Sequence, residues 1–248
     1  MSTEPTIDQA HGLIDEAMAR YHTDQVYAAF SGGHDSLTST HMTSLHPAFR
    51  GVVHIDTTIG VPETRQFVRQ TCLKHGWLLH VSRPSKTRGY VQLVLRFGFP
   101  GPSQHRMMYT SLKHQPLSAL LTTLRQREGQ NIILCTGMRR QESARRMNIR
   151  ETVLKEKNII WLSPIYDWTS SDCTAYMHDN RLQRNPVKDN LHISGECLCG
   201  CFADSDERKE LAIWYPHVND EILKIERLVE YTQALDLQDY RYPAHTMG

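Results

Sequence analysis

Three groups of residues in this 248-residue chain combine types and spacings that chemistry can use. The first is Ser31-Gly32-Gly33-His34-Asp35-Ser36, directly after the apolar run Val26 to Phe30. Two glycines without Cβ atoms let backbone amides close around an anion, and a following helix adds the partial positive charge of its N-terminus. Asp35 or Ser36 is placed to cap that helix. The result is a phosphate cradle that lacks the Gly-Lys-Ser/Thr of a Walker loop; the plain alternative is a strand-turn-helix connection whose glycines only shape the turn. The second group is Gly137-Met138-Arg139-Arg140, running on to Arg145 and Arg146. Four arginines crowded after a strand are costly unless anions meet them, although a solvated basic helix face is the usual fate of such a run. The third is Cys197-Leu198-Cys199-Gly200-Cys201, preceded by His192 and Glu196. One intervening residue is too tight for the usual zinc pairs, and alternate residues of an extended chain point apart. Three readings stay open: one thiol acts as a nucleophile or sulfur carrier, two or three thiols with His192 hold zinc or an iron–sulfur cluster, or the thiols only pack.

The elements that must position these groups read in order. Ile7 to Tyr21 has helical spacing and precedes the first strand. Leu37 to Leu45 continues the phosphate loop as a helix. Gly51 to Asp56 is an apolar, β-branched strand suited to a buried parallel sheet. Asp56 at its end either contacts a nucleotide base or ribose, or only terminates the strand. Pro62 and Glu63 open a helix to about His75. Trp77 to Val81 and Asn131 to Thr136 are the third and fourth strands, and Ile159 to Ile165 is the fifth. Thr87 to Phe97 is a helix, Gly98 to Arg106 a turn-rich loop, and the next helix begins near Tyr109 and carries Lys113. Thr169 or Ser170 caps a helix to about Asn180, and Asn185-Pro186-Val187 breaks it. Asp204 to Leu235 is helical, with Leu211, Ile213, Trp214, Val218, Ile222, Ile225, Leu228 and Val229 as a buried stripe interrupted at Pro216. Cys72, Cys135 and Cys173 lie inside regular elements and read as buried structural thiols.

Formal net charge is +1, with 40% hydrophobic and 22% charged residues. That is a globular composition with no global basic field for nucleic acid. Six cysteines in a chain this long do not suggest a disulfide scaffold, and no stretch is long and apolar enough to span a membrane. A cytoplasmic protein is expected. The elements predict a doubly wound α/β fold with a mostly parallel five-stranded sheet. Residues 1–203 form the nucleotide-binding domain, including the cysteine-rich loop 192–202, and 204–248 a helical C-terminal extension.

Ser-Gly-Gly-x-Asp-Ser after a strand resembles the pyrophosphate loop of the adenylating ATP pyrophosphatases, the superfamily that includes the phosphoadenosine phosphosulfate (PAPS) reductases. Asp56-Thr57 followed by Pro62-Glu63-Thr64 is similar to that family. So are the His105-Arg106, Leu112-Lys113 and Pro116-Leu117 series, Gly137-x-Arg139, and Pro164-Ile165-Tyr166-Asp167-Trp168. The resemblance implies an adenine nucleotide alpha hydrolase-like fold. It places ATP on Phe30, Ser31, Gly32, Gly33, His34, Asp35, Ser36, Asp56 and Gly137, with Mg2+ on the phosphates, and Lys113, Arg139 and Arg140 stabilising charge. Ser194-Gly195-Glu196-Cys197-x-Cys199-Gly200 resembles the cysteine element of the sulfur-incorporating branch, including the ATP pyrophosphatase component of DNA phosphorothioation systems. That branch implies adenylation of an acceptor oxygen of the DNA backbone, then sulfur insertion. The sulfur comes from a cysteine desulfurase or sulfur carrier, or by way of Cys197, Cys199 or Cys201, and a homo-oligomer is implied. Many members place a cluster-binding cysteine after His-Arg, where this chain has Met107, Met108 and Tyr109, which argues against a four-cysteine iron–sulfur cluster. PAPS reductases proper carry a cysteine in a Glu-Cys-Gly-Leu-His element near the end, and no cysteine follows Cys201 here. Sulfonucleotide reduction and a non-catalytic nucleotide-binding module are the competing readings.

Overall fold

The computed structural model describes residues 7–142, 152–203 and 205–239. Helix α1 (Ile7–Tyr21) leads to β1 (Val26–Ala29), α2 (His34–Ser44), β2 (Phe49–Ile55), α3 (Pro62–His75), β3 (Leu79–Ser82) and α4 (Tyr90–Phe97). A helical stretch follows as α5 (His105–Tyr109), a wider π turn at Thr110–His114 and α6 (Gln115–Leu124). Then come β4 (Ile132–Cys135), β5 (Val153–Glu156), β6 (Ile159–Leu162), α7 (Ser170–Asp179), α8 (Pro186–Leu191), α9 (Ser205–Trp214) and α10 (Pro216–Asp239).

The sheet order is β3-β2-β1-β4-β6-β5, parallel except for β5, which runs antiparallel to β6. Among the described residues the expected five strands are therefore six. Strand β5 was missed because it is a short, largely exposed edge strand, Val-Leu-Lys-Glu, with no apolar run to mark it. Adjacent residues serve opposite faces, as the pleat requires. Val26, Ile133, Cys135, Ile160 and Leu162 pack with Ile14 and Ala17 of α1. Tyr27, Ile132, Leu134 and Ile159 pack with Leu117 and Leu121 of α6 on the other side. Helices thus cover both faces of a mostly parallel sheet, the doubly wound arrangement.

Three local readings need correction. His105 and Arg106 open α5 instead of closing a loop, because the helical stretch starts four residues before Tyr109. Asn185-Pro186 starts a helix: Asn185 caps α8 by accepting from Val187 N–H at 3.1 Å, and Pro186 occupies its first turn. In the C-terminal helices Leu211, Val218, Ile222 and Val229 are buried, but Ile213, Trp214 and Leu228 are exposed, at 72%, 55% and 45%. The buried members share one cluster with Tyr90 and Val94 of α4, Leu112, and Leu198 and Cys201 of the cysteine loop. Thr169 does cap α7, exchanging hydrogen bonds with Asp172. No helix among the described residues is long and apolar enough to cross a membrane.

Candidate functional site

The carboxyl ends of β1 and β4 open into a cavity of about 690 Å³. Its floor is the glycine loop: Phe30, Ser31, Gly33, His34, Asp35 and Ser36 line it, and Gly32 does not. Gly32 has φ +89°, and a Cβ there would lie 2.7 Å from Thr64 Cγ2, so the residue must be glycine for two reasons. The N-cap of α2 is Gly33, with no side-chain cap. Neither Asp35 nor Ser36 caps the helix, because both already lie in its first turn; the Ser36 hydroxyl instead donates to Gly33 C=O at 2.8 Å. Ser31 N–H and the Ser31 hydroxyl reach Ser36 Oγ at 3.3 and 3.1 Å. A helix start without a side-chain acceptor, facing a cavity, offers its amides to an anion.

Strand β4 presses onto this loop. A Cβ on Gly137 would lie 2.4 Å from Ser36 N, so close approach excludes any side chain. That contact delivers Arg139 into the cavity, where its Nη2 is 3.0 Å from Asp35 Oδ2. Arg140 is not brought to the site. Its guanidinium pairs with Asp167 at 2.7 Å and lies over the Tyr166 ring. Arg145 and Arg146 lie outside the described residues. Asp56 is buried but does not line the cavity: it accepts from Thr58 N–H at 3.0 Å and pairs with Arg65 at 3.2 Å and Arg83 at 2.8 Å. Burial alone would raise its pKa, and the Thr58 amide and both arginines override this and hold it below the usual value. The apolar wall comes from Leu117, part of the Pro116-Leu117 motif, and from Val53, Ile55, Trp161 and Tyr109, which no motif marked as site residues. His34 lines the cavity 3.7 Å from Asp189, and burial, with Arg184 nearby, lowers its pKa so that it is neutral near pH 7.

Lys113, from the π turn, also lines the cavity and pairs with Glu196 Oε2 at 3.0 Å. Burial would lower the Lys113 ammonium, but the Glu196 carboxylate prevails and holds its pKa above the ordinary lysine value. Glu196 arrives there through a strip that pairs with the segment after β2. Val61 N–H donates to Gly195 C=O at 2.7 Å and Leu198 N–H to Ile59 C=O at 2.8 Å. The hydroxyls of Thr57 and Thr64 donate to Glu196 C=O and Ser194 C=O, each at 2.7 Å. A Cβ on Gly60 would lie 2.2 Å from Glu196 O. This pairing seats Ser194 and Glu196 on the cavity wall with Cys197 next in line. Asn185, the α8 cap, clamps the other side by donating to Gly32 C=O at 2.9 Å.

None of the three clustered cysteines lines the cavity. Cys197 and Cys199 are half-buried and packed against the C-terminal cluster, and Cys201 is buried within it. A hydrogen bond to Cys199, then burial, holds the Cys197 thiol well above its ordinary pKa. The same hydrogen bond lowers Cys199. Burial raises Cys201. Cys199 is therefore the strongest thiolate of the three. His192 has φ 56° at the end of α8, and its carbonyl accepts from Lys188 Nζ. Among the described residues no group of three or more His, Cys, Asp or Glu is placed to hold a metal ion. Met108, in the stretch after His105-Arg106, is buried. Cys72, Cys135 and Cys173 are buried, each pushed up to about 12, by burial first. Cys173 also lines the cavity and hydrogen-bonds Asp35.

Residues 25–205 match the model of the phosphoadenosine phosphosulfate reductase domain. A phosphoadenosine 5'-phosphosulfate reductase of Alkalilimnicola ehrlichii is 27% identical over 174 residues, 68% of this chain and 67% of that protein. One from Photobacterium profundum is 24% identical over 171 residues, 67% of this chain and 64% of the relative. Among solved structures, the PAPS reductase of Candida auris in a phosphate complex superposes with a TM-score of 0.55 at 18% identity, covering 76% of this chain and 92% of that one. The NH3-dependent NAD synthetase of Campylobacter jejuni gives 0.52 at 13%, covering 97% of both. The FMN adenylyltransferase of Candida glabrata gives 0.53 at 11%, covering 75% and 60%. These structural likenesses establish the fold, and the match over residues 25–205, most of the chain, establishes the rest: the protein belongs to the phosphoadenosine phosphosulfate reductase family.

Proposed function

We propose that this protein is an ATP pyrophosphatase that adenylates an acceptor oxygen and so prepares it for sulfur insertion. The observation that carries the reading is the uncapped start of α2, opening into a cavity that also holds Arg139 and Lys113. The pyrophosphate end of ATP would lie on the Ser31–Ser36 amides and the adenine against Val53, Ile55, Leu117 and Trp161. The acceptor oxygen attacks the α-phosphorus, and the bond to the pyrophosphate oxygen breaks, giving acceptor-AMP and pyrophosphate. Arg139 and Lys113 meet the charge that develops. The carboxylate of Asp35 fits a phosphate-bound Mg2+, which needs only one or two such ligands besides phosphates and water and would neutralise polyphosphate charge. The Candida glabrata FMN adenylyltransferase, of the same fold, was solved with FAD and inorganic pyrophosphate bound, which fits this use of the loop.

The terminal sulfur of a persulfide, supplied by a cysteine desulfurase or sulfur carrier, would then displace AMP, and a thiol would cleave the resulting disulfide to leave sulfur on the acceptor. We assign that step to Cys199, whose pKa the hydrogen bond with Cys197 lowers. The DNA backbone as acceptor rests on the resemblance of the Ser194–Gly200 element to phosphorothioation enzymes. The second reading, PAPS reduction, is favoured by the two named relatives. Incubation with Mg-ATP and measurement of pyrophosphate, beside incubation with PAPS and dithiothreitol and measurement of sulfite, separates them. Pyrophosphate release supports adenylation, sulfite without pyrophosphate establishes the second reading, and nucleotide binding without either product leaves a binding module.

A further inference from the structure

Lys113 and Arg139 both enter the cavity already paired with a carboxylate, but the two carboxylates differ in origin. Asp35 belongs to the phosphate loop itself. Glu196 belongs to the strip that carries Cys197 and Cys199, and its backbone is fixed by Thr57 and by the tight approach of Gly60. The strip touches the loop: a Cβ on Gly33 would lie 3.5 Å from Ser194 Cβ. The Glu196 side chain is only 10% exposed and Lys113 is 32% exposed. A fixed carboxylate thus faces an ammonium on a flexible four-carbon stem, inside the cavity where polyphosphate would bring several negative charges.

We propose that Glu196 is a positioning residue that holds Lys113 before nucleotide binds, yields it to the phosphates, and recaptures it as pyrophosphate leaves. The inference rests on the reading that the cavity takes ATP. Glu196 competes with polyphosphate for Lys113, so it weakens the grip on product. Removing its charge should tighten pyrophosphate binding, lower KM for ATP and slow turnover together. A carboxylate that served only to hold the local fold would weaken binding when removed.

The test is calorimetric titration with inorganic pyrophosphate of the wild type, Glu196→Gln, Lys113→Met and the double variant. Glu196→Gln should tighten binding about fivefold or more, the scale of a site-to-site coupling. In the Lys113→Met background its effect should shrink to about twofold or less, the range of independent sites. Glu196→Asp, which keeps the charge, should stay near wild type, and Glu196→Ala should shift affinity in the same direction as Glu196→Gln, so that a folding defect in one variant does not decide the matter. Weaker or unchanged binding in both charge-removing variants, or an equal gain without Lys113, overturns the inference alone. Failure of the wild type to bind either ATP or pyrophosphate overturns the ATP reading and takes this inference with it.

Discussion

A single Cβ separates the phosphate loop from collapse at Gly137, where an added methyl would meet the backbone of Asp35 and Ser36 at 2.4 to 2.6 Å. Gly137→Ala should displace α2 from β4 and reduce nucleotide affinity about a hundredfold, the cost of misplacing a binding group by about an ångström. Calorimetry with ATP reads this, while an unchanged circular dichroism spectrum shows that the sheet survives. Among the thiols, Cys199 should react with iodoacetamide faster than Cys197 or Cys201. Its pKa is lowered, so its rate should hold at pH values where the other two thiols have already lost reactivity, and the midpoint of its pH profile should fall below theirs. Mass spectrometry of single-cysteine-to-serine variants gives those rates, and equal midpoints for all three would refute the assignment. The loop and the arginine run holding Arg139 were legible in residue types and spacing, and Lys113 only through the family resemblance. Arg140 was misread because consecutive residues diverge, and its neighbour Asp167 claims it. Glu196 sits 83 residues from Lys113, and no local pattern announces such a partner.

Helix α8 is only six residues long, yet its cap does two things. Asn185 closes the helix start and donates to Gly32 C=O, so one amide ties α8 to the phosphate loop. Asn185→Ala should cost about 1–2 kcal/mol of stability, the usual range for a lost cap, and also weaken ATP binding. Urea unfolding and calorimetry should show both losses; a stability loss with unchanged affinity would remove the clamp from the site. The cap was in plain view as Asn-Pro-Val, since proline suits the first helical turn as well as it breaks a later one. The π turn at Thr110–His114 was not legible. Its residues have ordinary helical types, and the wider turn that carries Lys113 shows only in the folded backbone.

Across the whole molecule the sheet order followed from strands that read as apolar runs, and the exposed edge strand β5 escaped for want of one. The same burial that makes the core sets the response to acid. His34, His41, His75 and His80 all have pKa values lowered by burial, His41 to about 4. The folded values lie below the unfolded ones, so the unfolded chain takes up protons first as pH falls. The stability these histidines contribute is present above about pH 6.5 and is lost as pH drops toward 4. His41, whose Nδ1 lies 2.8 Å from the Tyr176 hydroxyl, carries the largest share. His41→Gln should flatten the fall in urea midpoint between pH 7 and pH 4.5, and an unaltered slope would assign the effect to other groups.

The hydrogen bonds from Thr64 to Ser194 and from Thr57 to Glu196 each join residues at least 130 positions apart. Closing so long a segment is entropically expensive and occurs only after much of the polypeptide between them has emerged and folded. The glycine loop and Arg139 can therefore be in place before Ser194 and Glu196 complete the cavity wall. Thiol labelling during synthesis should find Cys199 unremarkable until this last clasp forms, which keeps the reactive sulfur out of service until the machinery around it is finished.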